Sequence, residues 1–354
     1  MKRFEMKLQI LSPVHIGTGY QIPPYEYIVK GEDFHRIDLF GLLSSLSSAE
    51  KGAFYNAVNN TNPTFVRIFI ADRVDVKKFS LYQCTASEPF EVAYNSKIND
   101  LRNQLLVDEF PRRTCDKKPY IPGSSIKGAI RMAIISEMAE NTRLVKNEKY
   151  FEKDLIGYND TKQDPFRCLK ISDAPLENAN NVFVDEVKSF NPKKDTQASS
   201  IQIFCEQLYS LLDSENVFAV GELAVDELLP KKTYFDKRKT LTAKAVTREI
   251  TCEQIAGACR KFYLDNMKWE LEKFYKGSEK YRYCEPLLEI EYADNEFPLR
   301  LGRFNHCEAV TVPNLRRPKT RKGPDGNYLP WGTTRTTSND VPMGWVKVTL
   351  KEKK

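Results

Sequence analysis

An α+β fold in two units is what the sequence predicts, on three observations. Apolar residues alternate with polar ones at the N-terminus, strand-like runs recur in both halves, and two longer segments, 123–140 and 252–275, carry apolar residues at helical spacing. At 354 residues the chain exceeds the size at which one hydrophobic core usually stops growing, so two domains are expected.

Taken in order, Phe4, Met6, Leu8 and Ile10 have the period of two of a half-buried strand, and Ser12-Pro13 ends it. Tyr25–Val29 and Phe34–Ile37, split by Lys30-Gly31-Glu32-Asp33, form a hairpin pattern, and Leu39–Leu46 follows as a helix. Gly123–Glu140 places Ile126, Ile130, Ala133, Ile134 and Met138 on one helical stripe after the start signal Pro122-Gly123-Ser124-Ser125. Strand patterns then recur at Cys168–Ile171, Val182–Val187, Ile201–Gln207 and Val217–Val225. A long helix over Cys252–Tyr275 aligns Ile255, Cys259, Phe262, Tyr263, Met267, Leu271 and Phe274, a set that fits core packing better than a ligand box. Strands resume at Leu287–Tyr292, Leu299–Phe304 and Trp345–Leu350. Each half mixes strands with few helices, which suggests two ferredoxin-like or RRM-like units with irregular insertions. Polar, Pro-containing Asp160–Pro165 places the junction near 165, giving domains 1–165 and 166–354.

The apolar fraction of 41% and charged fraction of 29% are those of an ordinary globular chain, and no apolar run is long enough to span a bilayer. The N-terminal alternation lacks the apolar core of a secretory signal, so a cytoplasmic location is expected. Eight scattered cysteines without a CxxC fit reduced, buried thiols, and with three histidines a zinc site is not expected. No cofactor and no small-molecule substrate are implied. From Arg300 to Lys354 twelve Lys/Arg face four Asp/Glu, a net +8 within a chain total of +6, which leaves −2 for everything earlier. Such asymmetry fits a polyanionic partner, although a solvated surface gives the same pattern.

Three segments carry candidate chemistry. In Tyr120–Arg131 a Gly/Ser turn enters a helix with Ser124 and Ser125 at its start and Lys127 and Arg131 one turn apart, a phosphate-binding arrangement without the spacing of a nucleotide-binding P-loop. A capped amphipathic helix with two solvated cations explains the same residues. In Leu11–Gly19, Gly17 and Gly19 let a ligand's backbone approach, while His15 fits a general base, a stacking ring or, preferentially, a hydrogen-bonded structural residue. The third segment interleaves Gly302, Arg303, Arg316, Arg317, Lys319, Arg321 and Arg335 with Tyr328, Trp331 and threonines, the mixture that single-stranded RNA binders use.

SPVHIGTG after the first strand, YIPGSSIKGAIR before a helix, a late LGRF turn, and WGTTRTT followed by PMGWVKV together resemble the RAMP superfamily. Within it they resemble the terminal, fifth-subunit family of type III-A (Csm) CRISPR effector complexes. YIPGSSIKGAIR is the specific motif, and the PGSS-KGA-R pattern also occurs in other type III RAMP subunits. The resemblance implies two RRM-like domains and a non-catalytic subunit that holds the 3′ part of the CRISPR RNA (crRNA) at the end of the complex. It also implies a role in crRNA maturation and antiviral defence, with RAMP backbone and small subunits as neighbours and host nucleases as further partners. The family's Gly-rich loop falls on Leu301–Val310, where only Gly302 remains, so Arg303 and His306 would substitute through side chains.

An RNA endonuclease is the alternative. It would need an imidazole as general base or acid, and His15, His35 and His306 are the three present. The aspartate that target-cutting backbone subunits carry after the first strand has no counterpart in Tyr20–Glu26, which favours a binding role. A protein-binding adaptor would instead need the basic C-terminal stretch to face acidic partners. On the binding reading, Lys127 and Arg131 should contact the RNA backbone and set part of the salt dependence.

Overall fold

The computed structural model describes every residue except 61, 63, 101–103, 141–150, 159, 192–195, 198–201, 209–216, 236–240, 313–321, 330 and 354. Along the chain come strands β1 (Lys2–Ile10), β2 (Gln21–Ile22), β3 (Tyr27–Lys30) and β4 (Asp33–Ile37), then helices α1 (Leu39–Ser45), α2 (Ser48–Val58), α3 (Thr64–Arg73) and α4 (Val76–Phe79). Next are β5 (Ser80–Ala86), α5 (Glu88–Lys97), β6 (Val107–Asp108) and α6 (Gly123–Glu140). They are followed by β7 (Leu169–Ile171), β8 (Val182–Asn191), β9 (Ile203–Leu208), β10 (Phe218–Val225) and α7 (Cys252–Glu270). The main elements close with β11 (Glu296–Arg300), α8 (His306–Val310), β12 (Arg335–Ser338) and β13 (Trp345–Glu352).

Two sheets organise these elements. The first is antiparallel, in the order β11-β13-β1-β10-β7. Its centre is β1, whose alternation is the reason for its placement: Met6, Leu8 and Ile10 are buried while Lys2, Arg3 and Glu5 face solvent. Met6 lies opposite Gly221 on one side and Leu350 on the other. Helices α6 and α7 pack on this sheet and on each other, burying Ile126, Ile130 and Ile134 from one and Ile255, Cys259 and Met267 from the other. The expected apolar stripes are therefore core. The long second helix ends in a π-helical turn at Leu271–Tyr275.

The second sheet runs β2-β6-β9-β8-β5-β4-β3 and carries β12 beside β8. Its β8–β5 and β9–β6 pairs are parallel, and the others along that path are antiparallel. Both sheets share one continuous core, whereas α1–α4 close over a satellite core of Leu42, Phe69, Ile70 and Phe79 against Ile28 and Ile37. Among the described residues no helix is long and apolar enough to cross a membrane. No group of three or more His, Cys, Asp or Glu among them could hold a metal ion.

The chain is α+β, as expected, but two details differ from the sequence reading. Leu287–Tyr292 is not a strand, because Pro286 sets a 3₁₀ turn over Glu285–Leu288. The strand expected to reach Phe304 stops at Arg300, and the chain turns at Gly302. A division at 165/166 would fall between α6 and β7, and the first sheet takes β1 from before that point and its other four strands from after it. The polar stretch around Asp160–Pro165 is a surface connection beside this sheet, with short 3₁₀ turns capped by Asp160 and Asp164.

Candidate nucleic-acid interface

Three segments remote in sequence meet at one end of the first sheet. The Leu11 and Ser12 amides donate to the Trp345 carbonyl at 3.0 and 3.2 Å, and the Trp345 amide donates to Ser12 Oγ at 2.9 Å. The Gly344 amide donates to Pro13 O at 2.8 Å, Leu301 to Gly344 O at 2.8 Å, and Arg303 to His15 O at 3.0 Å. Gly302 holds this clasp at φ +99°, and a Cβ there would overlap the His15 carbonyl oxygen. Only glycine meets both demands.

From this clasp the loop Ile16–Tyr20 runs beside β6. Thr18 donates its amide to Glu109 O at 3.2 Å, and Glu109 donates back to Tyr20 O at 3.1 Å. Helix α6 forms another side and presents Ser125, Gly128, Ala129 and Met132. Its start is fixed by the Gly123 amide, which donates to Asp173 Oδ1 at 2.8 Å, and by the close approach of the Ile171 carbonyl, which a Cβ on Gly123 would strike. One dipole-end amide is thereby committed to a carboxylate of the chain itself.

Between these walls lies a cavity of about 710 Å³. Gly17, Gly19, Ser125, Gly302 and Arg303, all singled out from sequence, line it. Wall positions without side chains let a bound chain approach the backbone closely. The Arg303 guanidinium is half exposed at the rim and pairs with buried Asp108, which also accepts from Gln21 Nε2 at 2.9 Å. His15 lies behind the wall. Its Nδ1 is 2.7 Å from Glu206 O, its ring packs 6.0 Å from that of Phe304, and burial lowers its pKa.

Other candidates lie elsewhere. Ser124 is exposed next to Ser125, outside the cavity lining. Lys127 is half-buried and donates to Leu169 O at 2.7 Å, and burial lowers its pKa. Arg131 bridges Glu152 at 3.0 Å and Asp164 at 2.8 Å over the Phe166 ring. Both cations have partners within the chain, and neither lines the cavity.

Arg335 departs furthest from expectation. It is fully buried, 3.2 Å from Glu270 and 3.1 Å from Glu308, with its guanidinium 3.6 Å from the Phe274 ring centre. Glu270 also pairs with buried Arg300 at 2.9 Å, so two arginines and two glutamates alternate inside the core. His306 lies near the network and accepts from the Thr336 amide at 3.1 Å. Burial, reinforced by Arg300 and Arg335, lowers its pKa to about 2. Arg316, Arg317, Lys319 and Arg321 lie outside the described residues.

The sequence reading missed Asp108, Glu206, Glu270 and Glu308 because a lone carboxylate carries no motif. It also missed Met132 and Asn305, which line the cavity. The period of two through Arg335 and Thr337 was a readable sign that both point inward.

A profile of the RAMP superfamily matches residues 7–302 of the chain. Among curated proteins, the CRISPR system Cms protein Csm5 of Methanocaldococcus jannaschii is 23% identical over 393 residues, covering 98% of this chain and 89% of that protein. The protein of the same name from Streptococcus thermophilus is 26% identical over 237 residues, covering 60% of this chain and 63% of the other. Among solved structures, a chain in the cryo-EM structure of a type III-A Csm–crRNA–target RNA ternary complex matches with a TM-score of 0.69 at 21% identity, over 98% of this chain and 100% of that one. The crystal structure of T. onnurineus Csm5 matches with a TM-score of 0.63 at 19% identity, over 96% and 99%. At these identities the structural matches speak to the fold.

Proposed function

The chain belongs to the RAMP superfamily, and we propose that it is a non-catalytic, crRNA-binding subunit of a cytoplasmic Csm-type ribonucleoprotein. It holds the 3′ part of the crRNA at the end of that complex and supports crRNA maturation, beside RAMP backbone and small subunits and within reach of host nucleases. The observation that carries this reading is the convergence of Gly17, Gly19, Ser125, Gly302 and Arg303 on one cavity. A sugar–phosphate backbone laid over the glycine-built wall would meet peptide groups without intervening side chains, with Arg303 at the rim to neutralise phosphate. The similarity to proteins named Csm5, one of them over 98% of this chain, supports the placement in a Csm complex.

The imidazoles support a binding role. His15 is bonded to Glu206 O behind the wall, and His306 is held near the buried ion network, so neither is placed to exchange a proton with a 2′-hydroxyl in the cavity. Architecture supports two RRM-like units that interleave along the chain. In the first sheet β1, α6, β7, β10, α7 and β13 follow a β-α-β-β-α-β order, with β11 added at its edge. The second sheet with α5 is the other unit.

Co-purification of the tagged full chain from its host, with sequencing of bound RNA and mass spectrometry of bound protein, tests the proposal. Repeat–spacer RNAs together with RAMP partners are the expected result. Recovery of neither overturns it, and RNA cleavage by the purified protein that disappears in His15→Ala overturns the non-catalytic assignment.

A further inference from the structure

A second hollow lies across the loop Ile16–Tyr20 from the cavity. Gly17, Gly19 and Asp108 line the cavity, while their immediate sequence neighbours Thr18 and Glu109 line a separate hollow of about 300 Å³. Alternate residues of an extended chain point to opposite sides, and neighbours are only about 3.8 Å apart, so the partition between the two hollows is thin. Thr18 Oγ1 donates to Glu109 Oε2 at 3.1 Å and ties that partition together.

The far hollow is cationic and aromatic: Arg36, Tyr82, Arg112, Lys117 and Tyr120 join Thr18 in its wall. Arg36 and Arg112 are fixed by Glu26 at 2.5 Å and Glu206 at 3.3 Å. No carboxylate among the described residues pairs with the Lys117 or Lys118 ammonium. Both lysines stand on the turn Arg112–Pro119, which is closed by the Arg113 amide on Lys118 O and the Lys117 amide on Arg113 O, both at 2.9 Å. Lys117 holds φ +57°, a strained conformation for a side-chain-bearing residue and one that persists only where the surroundings fix it. Residues 112–118 carry four Lys/Arg and one Asp, the Asp paired with Arg113, within the part of the chain before Arg300 whose net charge is −2. Positive charge is thus concentrated on one projecting turn beside the glycine wall, with hydroxyls and rings around it, the set that tracks a single-stranded backbone.

We propose that the bound RNA crosses the Ile16–Tyr20 partition and continues into this second hollow, where the Arg112–Pro119 turn holds its backbone with Lys117 and Lys118 on phosphates. The inference rests on the RNA-binding reading and extends that interface from one cleft to two.

Two measurements test it. In the purified full chain, Lys117→Ala combined with Lys118→Ala should lower the slope of log K against log salt for single-stranded RNA by about 1.4, the value for two phosphates. Cys115, the exposed cysteine of the same turn, is then alkylated with p-azidophenacyl bromide in the assembly with which the chain co-purifies, and irradiated. The label should attach to the RNA, and Cys115→Ser should remove that crosslink. An unchanged slope overturns the second cleft, as does an RNA crosslink that survives Cys115→Ser or a failure to label RNA; a label found only on protein makes the turn a subunit contact instead. In each of these cases a slope still lowered by Arg303→Ala leaves the cavity reading standing. Absence of RNA binding by the unmodified chain overturns both.

Discussion

Arg303 and Arg335 come from the same basic stretch of sequence and end in opposite environments. Arg303 follows the Gly302 turn, pairs with Asp108 at the cavity rim, and keeps half of its side chain in water. Arg335 enters β12 and is enclosed by Glu270, Glu308 and the Phe274 ring with no exposure at all. One cation is available to a polyanion, and the other is a structural part. Net charge along a sequence counts the two equally, which is why a basic segment is a poor guide to where an anion will bind.

The comparison breaks most visibly through stability. Arg335→Ala leaves Glu270 and Glu308 buried with fewer partners, and urea denaturation should show a loss of about 3–5 kcal/mol. A loss below about 1 kcal/mol would show that the network is not a stabilising core element. Gly302→Ala places a Cβ against His15 O at a positive φ, so it should cost about 1–3 kcal/mol and also weaken RNA binding. Undiminished affinity in this variant would separate the clasp from the interface.

His306 sharpens the buried side of the contrast. Its folded-state pKa of about 2 lies below the ordinary 6.5, so the unfolded chain takes up a proton first as the pH falls. The stabilisation it brings is complete above about pH 6.5 and is lost progressively below it, by roughly 2 kcal/mol between pH 7 and pH 5. Denaturation midpoints across that range measure the loss, and His306→Asn should flatten it. His15 and His35, also lowered by burial, act in the same direction. The smallest effects belong to the surface. Arg303→Ala should lower the slope of log K against log salt by about 0.7, the value for one phosphate on a single strand, with little change in stability. Lys127→Ala should leave that slope unchanged, because its half-buried ammonium lies outside the cavity lining that carries Arg303.

The sequence was most informative where burial is periodic. The alternation through Ile10 and the stripe from Ile126 to Met138 mark β1 and α6 because side-chain direction repeats every two or 3.6 residues, whatever the partner. The glycines of the cavity wall were also legible, since conformations closed to other residues leave a trace in composition. Partners were not. Nothing near Arg131 in sequence announces Glu152 and Asp164, and nothing near Arg335 announces Glu270, 65 residues earlier by the numbering. The helices α2 and α3 escaped notice because they close over a small core of their own and expose Tyr55, Val58, Phe65 and Ile68, which blurs their amphipathic pattern.

The pairing of β1 with β10 and β13 has a consequence for how the protein is made. Residues 2–10 leave the ribosome well before their neighbours, residues 218–225 and 345–352, the second of which emerges more than three hundred residues later. Until then Met6, Leu8 and Ile10 have no finished sheet to join. The first sheet is therefore completed only after synthesis, through contacts of very large sequence separation, a topology that folds slowly and exposes unpaired apolar strands on the way. Shortening the chain before Trp345 would strip β1 and β11 of the strand between them, so the integrity of the whole sheet is decided by the last segment translated into it.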